Sequence, residues 1–201
     1  MTGPSDWTSE GSTRGVAVKP LLYLDVDGPL NPYAAPLFEQ PLDGFTVIEV
    51  PYEPGPLRVW LDPRHGARLL ALEYELCWGT SWMAKANEWI APVLGLPELP
   101  YVDFSQVLFQ ERPDGVHWKT PILVEHAAGR PFAWVDDELG PEDEAFVAAH
   151  HPGAALLHYV SPLKGLRDED FAVLAAFATT LTSPALPPPQ EPEEPQEPDG
   201  Y

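Results

Sequence analysis

Short apolar runs alternate with amphipathic stretches through the middle of the chain. Leu21-Leu22-Tyr23-Leu24 has no polar interruption and stops at acids and Gly28, the pattern of a strand buried on both faces. Residues 45–50 and 57–61 are β-rich runs around Tyr52-Glu53-Pro54-Gly55, which predicts a hairpin. Asp62-Pro63 reads as a helix cap followed by proline in the first turn, and Leu69, Leu70 and Leu72 supply part of an apolar face. Residues 75–78 form a short strand. Trp82, Met83, Ala86, Trp89 and Ile90 fall at helical spacing. Thr120-Pro121 repeats the cap-and-proline pattern, opening a helix to about Ala128 that Gly129 closes. Residues 132–135 predict a strand ending in Asp136-Asp137, residues 141–150 a helix, 155–160 a strand, and 168–181 a helix with Phe171, Leu174, Phe177 and Ala178 on one face. Strands alternating with helices predict an α/β sandwich around a mostly parallel sheet, with a small β-hairpin flap at about residues 45–61.

Composition sets limits on this picture. The chain has 201 residues, enough for one domain, and 44% of them are hydrophobic, enough for a core. Residues 183–201 hold seven prolines, five acids and no basic residue, so they are expected to form a disordered acidic tail. Residues 1–19, rich in Ser, Thr and Gly, are expected to form a flexible arm, leaving 20–182 as the ordered domain. The formal net charge is −20, and the body is acidic even without the tail. That balance argues against nucleic-acid binding and against docking on anionic lipid, because phosphate is held chiefly by Lys and Arg. The single cysteine excludes an internal disulfide and suits a reducing compartment. With neither a secretion signal nor an apolar span, the expectation is a cytoplasmic protein with no membrane contact.

In α/β folds ligands bind beyond the carboxyl ends of the strands, and four polar junctions stand there. After the first strand come Asp25 and Asp27, then Gly28. Asp25 at the strand tip is placed to attack phosphorus, and Asp27 to protonate a leaving oxygen and later activate water. The competing reading is an Asp-Gly turn with solvated acids. Trp78-Gly79-Thr80-Ser81-Trp82 sets a hydroxyl pair between a strand and a helix, which makes either a phosphate cradle or an ordinary cap. Lys119 precedes a helix start, placed to neutralise phosphate oxygens and the nucleophile; a solvated surface charge is the bland alternative. Trp134-Val135-Asp136-Asp137-Glu138 again sets acids after an apolar strand. Gathered beside the first pair, these acids would repel one another and call for a hard divalent cation, Mg²⁺ being the usual choice with phosphate substrates.

The order acid pair, hydroxyl, lysine, acid pair resembles the four motifs of the haloacid dehalogenase superfamily. Leu22-Tyr23-Leu24-Asp25-Val26-Asp27-Gly28 looks like its first motif and Phe132-Ala133-Trp134-Val135-Asp136-Asp137 its fourth, with Thr80 at the second and Lys119 at the third. The run from Trp78 to Asn87 also resembles an uncharacterised bacterial subgroup. Two positions depart from the usual pattern: Pro29 follows Gly28 where Thr or Val is commoner, and Gly79 precedes Thr80. The resemblance implies a Rossmann-like three-layer sandwich and a phosphatase working through a phospho-aspartyl intermediate. Asp25 would be the nucleophile and Asp27 the general acid/base, with Thr80 and Lys119 binding the phosphoryl group. Mg²⁺ would sit on Asp25, the backbone carbonyl of Asp27 and Asp136, with Asp137 contributing directly or through water.

Only 52 residues separate Asp27 from Thr80 and 38 separate Thr80 from Lys119, too few for a large cap domain, so a minimal cap and an open site are expected. The phosphorylated substrate and the oligomeric state are not specified by the sequence. A catalytically weak phosphate- or nucleotide-binding regulatory module is the alternative of the same fold, and a working acidic tail is a third reading. Among the tryptophans, Trp82 is the best candidate for stacking a ligand, since it follows Thr80. His150 and His151 are expected to cap a helix or lie in solvent, Cys77 to be a buried inert thiol, and Arg64 and Arg112 to be surface charges.

Overall fold

The structure is a computed structural model that describes residues 18–36 and 43–182. The expected arm, save its last two positions, and the expected acidic tail lie outside those residues. The elements are β1 (Leu21–Leu24), β2 (Thr46–Val50), β3 (Leu57–Leu61), α1 (Arg64–Leu70), β4 (Glu75–Trp78), α2 (Lys85–Trp89), α3 (Ala91–Leu94), α4 (Thr120–Ala127), β5 (Phe132–Asp136), α5 (Pro141–His150), β6 (Ala155–Tyr159) and α6 (Asp168–Thr182). Four strands form a parallel sheet in the order β4-β1-β5-β6, and β2 and β3 form a separate antiparallel hairpin. The chain is thus α/β with a mostly parallel sheet and the expected hairpin. Among the described residues no helix is long and apolar enough to cross a membrane.

Side-chain alternation along the strands sorts the core into two clusters. Leu22, Leu24, Leu76, Trp78, Ala133 and Val135 pack with α1, α2, α3 and α6 through Leu69, Ala86, Ile90, Leu94 and Leu174. Leu21, Tyr23, Cys77, Phe132 and Trp134 point the other way and pack with α4 and α5 through Leu123, Ala127 and Val147. Both faces of β1 are therefore dry, which is why its sequence is a continuous apolar run. Gly66 is required by the closeness of α1 to α3: a Cβ there would lie 1.7 Å from the carbonyl oxygen of Leu94.

Three expected helix starts shift, each for a visible reason. Met83 adopts φ +47°, which interrupts the helix expected from Trp82, so α2 begins only at Lys85. Helix α1 begins at Arg64 rather than Pro63, and the Asp62 carboxylate accepts the Arg64 N–H at 2.9 Å. Thr120 is not the cap of α4: Lys119 holds that position, and the Thr120 hydroxyl donates instead to the buried Asp143 on α5. His151 takes the C-cap position of α5, one of the two roles expected for it, but does not lie in solvent. It is buried against Phe132, with ring centroids 4.8 Å apart, because the chain turns in at the end of α5 to reach β6. His150 stays exposed, its Nδ1 2.8 Å from the Phe146 carbonyl oxygen.

Candidate active site

Parallel register brings the strand-end residues together. Leu24 pairs with Val135 and with Trp78, so the residues that follow each strand emerge side by side at one rim of the sheet. The Asp25 N–H donates to the Val135 carbonyl at 3.0 Å and the Gly79 N–H to the Leu24 carbonyl at 2.9 Å, which continues the ladder one step past the strand tips. Asp25, Thr80 and Asp136 thereby meet although they are far apart in the chain.

Lys119 joins them from the turn before α4. Its Nζ lies 2.8 Å from Asp25 Oδ2 and 2.8 Å from Asp136 Oδ2. The Thr80 hydroxyl bonds the Asp25 carboxylate. All four side chains are buried. Asp143 fixes the lysine-bearing turn from outside: it accepts the His117 N–H at 2.9 Å and the Thr120 hydroxyl through Oδ1, and the Gly140 N–H at 3.0 Å through Oδ2. Sequence reading passes over Asp143, which looks like an ordinary acid in the first turn of a helix.

Asp137 completes the group. One oxygen each of Asp25, Asp136 and Asp137 lie within 4.8 Å of one another. The Tyr33 hydroxyl donates to Asp137 Oδ2 at 2.9 Å, and the Trp134 indole donates to Asp136 Oδ2 at 3.1 Å. Gly28 makes the approach possible. It has φ +86°, and a Cβ there would fall 2.4 Å from the Asp137 carboxyl carbon. Pro29 leaves this turn intact, since its carbonyl accepts the Leu166 N–H at 2.8 Å.

Asp27 stands beside the group rather than in it. Asn31 Nδ2 donates to its Oδ1 and Trp82 Nε1 to its Oδ2, both at 2.8 Å. The indole of Trp82, the best candidate among the tryptophans for stacking a ligand, holds a carboxylate. Asn31 carried no sequence signal beyond its place in the turn after Gly28.

The charges do not balance: three clustered carboxylates face one ammonium. Burial, reinforced by the charge of Asp136, pushes Asp25 up to about 7 despite Lys119 and the Thr80 hydroxyl. Burial likewise raises Asp136, and burial with the charges of Asp25 and Glu138 raises Asp137. Burial alone would lower the Lys119 ammonium, but Asp25 and Asp136 outweigh it and raise its pKa. Burial raises Tyr33 to about 12, aided by Asp137. An oxygen-only donor set with excess negative charge fits a hard divalent cation better than a thiol- or imidazole-seeking one.

The remaining candidates lie elsewhere. Trp78 and Trp134 fill the core, and burial pushes the Cys77 thiol up to about 12, well away from a reactive thiolate. Arg112 pairs with Asp114 at 2.6 Å on the surface, and Arg64 pairs with Asp62 at 2.7 Å.

No protein-family model matches the chain. No curated protein and no solved structure matches it either.

Proposed function

We propose that the chain is a Mg²⁺-dependent phosphohydrolase with a Rossmann-like core of the haloacid dehalogenase type, acting through a phospho-aspartyl intermediate on a phosphate ester. The observation that carries this reading is Lys119 bridging Asp25 and Asp136 at 2.8 Å each, with Thr80 on Asp25, at the carboxyl ends of adjacent parallel strands. A nucleophile, a fixed cation and a hydroxyl side by side are what transfer of an anionic phosphoryl group requires.

In this reading the phosphoryl group lies against Thr80 and Lys119. A carboxylate oxygen of Asp25 attacks phosphorus, the ester P–O bond breaks, and Asp27 gives its proton to the leaving oxygen. Water then attacks phosphorus, Asp27 takes a proton from it, and the bond from phosphorus to Asp25 breaks to release inorganic phosphate. Asp25, Asp136, Asp137 and the backbone carbonyl of Asp27 would hold Mg²⁺, which when bound supplies the charge neutralisation that one lysine does not. The test is turnover of a panel of phosphate esters with Mg²⁺. Asp25→Asn is expected to lower turnover by about a thousandfold or more, as loss of a covalent nucleophile does elsewhere. Wild-type turnover in that variant would remove Asp25 from its role.

One observation favours a second reading. Asp25 is only 5% exposed and Lys119 occupies its Oδ2, which suits a regulatory module that binds phosphate or a nucleotide with little turnover. Saturable phosphate binding without metal-dependent hydrolysis of any ester would select it.

A further inference from the structure

Asp27 differs from its neighbours in what holds it. Lys119 contacts Asp25 and Asp136, whereas both oxygens of Asp27 accept from neutral side chains, Asn31 and Trp82. Neutral donors fix a carboxylate's direction without cancelling its charge. The two donors are themselves held firmly. Asn31 is buried; its Oδ1 accepts the Trp60 N–H of β3 at 3.0 Å, its backbone N–H donates to Val26 at 2.8 Å, and its carbonyl accepts the Gly28 N–H at 2.8 Å. The Trp82 backbone N–H points to the Thr80 hydroxyl at 3.3 Å, and that hydroxyl bonds Asp25. Trp82 therefore ties Asp27, through its indole, to the Thr80 turn, through its backbone, and Asn31 ties Asp27 to the hairpin.

We propose that Trp82 and Asn31 are positioning residues that aim the Asp27 carboxyl at the leaving oxygen, with Asn31 linking that aim to the hairpin strand β3. The inference rests on the phosphohydrolase reading. Trp82 lies half-buried beside the site and holds one oxygen of Asp27, while Asn31 holds the other, so the plane of the carboxyl is fixed from two sides. Trp82 stands in the turn before α2, next to Met83 with its φ of +47°, and from there its indole reaches Asp27.

The experiment compares kcat/KM for phenyl phosphate, whose leaving group is strongly basic, with 4-nitrophenyl phosphate, whose leaving group is weakly basic. Proton donation matters for the first far more than for the second. Trp82→Phe is expected to lower kcat/KM for phenyl phosphate by about tenfold more than for 4-nitrophenyl phosphate, since misplacing an acid forfeits part of its usual 10²–10⁴-fold effect. Trp82→His, which keeps a ring N–H, should restore part of that difference. In the Asp27→Asn background, Trp82→Phe should add little, because the group it positions is gone. Equal losses for the two esters, or full additivity with Asp27→Asn, would overturn the positioning role while leaving the phosphohydrolase reading standing. Absence of turnover in the wild type, or full turnover in Asp25→Asn, would overturn that reading itself and the inference with it.

Discussion

Two buried aspartates follow two strands, and each meets a cation at hydrogen-bond distance: Asp25 after β1 with Lys119, and Asp62 after β3 with Arg64. Their chemistry runs in opposite directions. Burial disfavours the charged form of both, but Arg64 grips Asp62 with Nε, Nη2 and its backbone N–H, and the Asp62 carboxyl falls below its ordinary value. Asp25 rises to about 7, because burial outweighs a lysine that is shared with Asp136, and the charge of Asp136 pushes the same way. The Asp62–Arg64 pair neutralises itself and needs nothing further. The Asp25 cluster holds negative charge that its own lysine leaves uncompensated, which is the electrostatic condition for taking up a cation.

The sharpest way to break this contrast is to remove each cation. Lys119→Met leaves the clustered carboxylates buried without a partner and is expected to cost about 3–5 kcal/mol of stability in metal-free buffer. The folded carboxyls then have pKa values raised still further above the unfolded ones. Their stabilising contribution is full below the unfolded value of about 4 and is lost as pH rises through the folded values, so the loss should be larger at pH 8 than at pH 5. Arg64→Met removes a cation exposed to water and leaves Asp62 its bond from the residue-64 backbone N–H, so its loss of stability should be clearly smaller than that of Lys119→Met. Urea unfolding of both variants at the two pH values checks this; equal losses would erase the distinction.

On the proposed function, Mg²⁺ should give a smaller effect of the same kind. At a hundredfold excess over its Kd, the ion should stabilise the fold by about 2.7 kcal/mol and raise Tm by about 5–10 °C. Asp136→Asn should abolish the rise and Asp62→Asn should keep it. A rise that survives Asp136→Asn places the ion elsewhere.

The smallest effect belongs to the neighbourhood of Asp62. His65 is buried there between Phe45 and Phe171, and burial lowers its pKa against the pull of Asp62 3.8 Å away, with Arg64 and Arg68 adding to the lowering. A histidine depressed in the folded state contributes stability above its unfolded value of about 6.5 and loses it as pH falls below that value. His65→Phe should therefore flatten the fall of Tm between pH 7 and 5.5. An unchanged slope would assign that fall to other groups.

Much of this molecule was legible from its chain. Apolar runs bounded by Gly, Pro and acids placed every strand of the parallel sheet and the hairpin to within a residue or so, and β1 stands out most, since a strand buried on both faces has no room for polar residues. Tertiary structure decided what local pattern does not carry. Lys119 reads as any surface lysine until the Asp143 contacts fix its turn and the chain folds it over β1. Trp82 reads as a helical aromatic, yet it lies in the turn before α2 and its indole donates to Asp27. Sequence alone set the elements and the residue types at their tips, because periodicity and turn chemistry are local. Which tips touch, and how much charge accumulates where they do, came from strand order and parallel register, which depend on pairings between residues roughly a hundred positions apart.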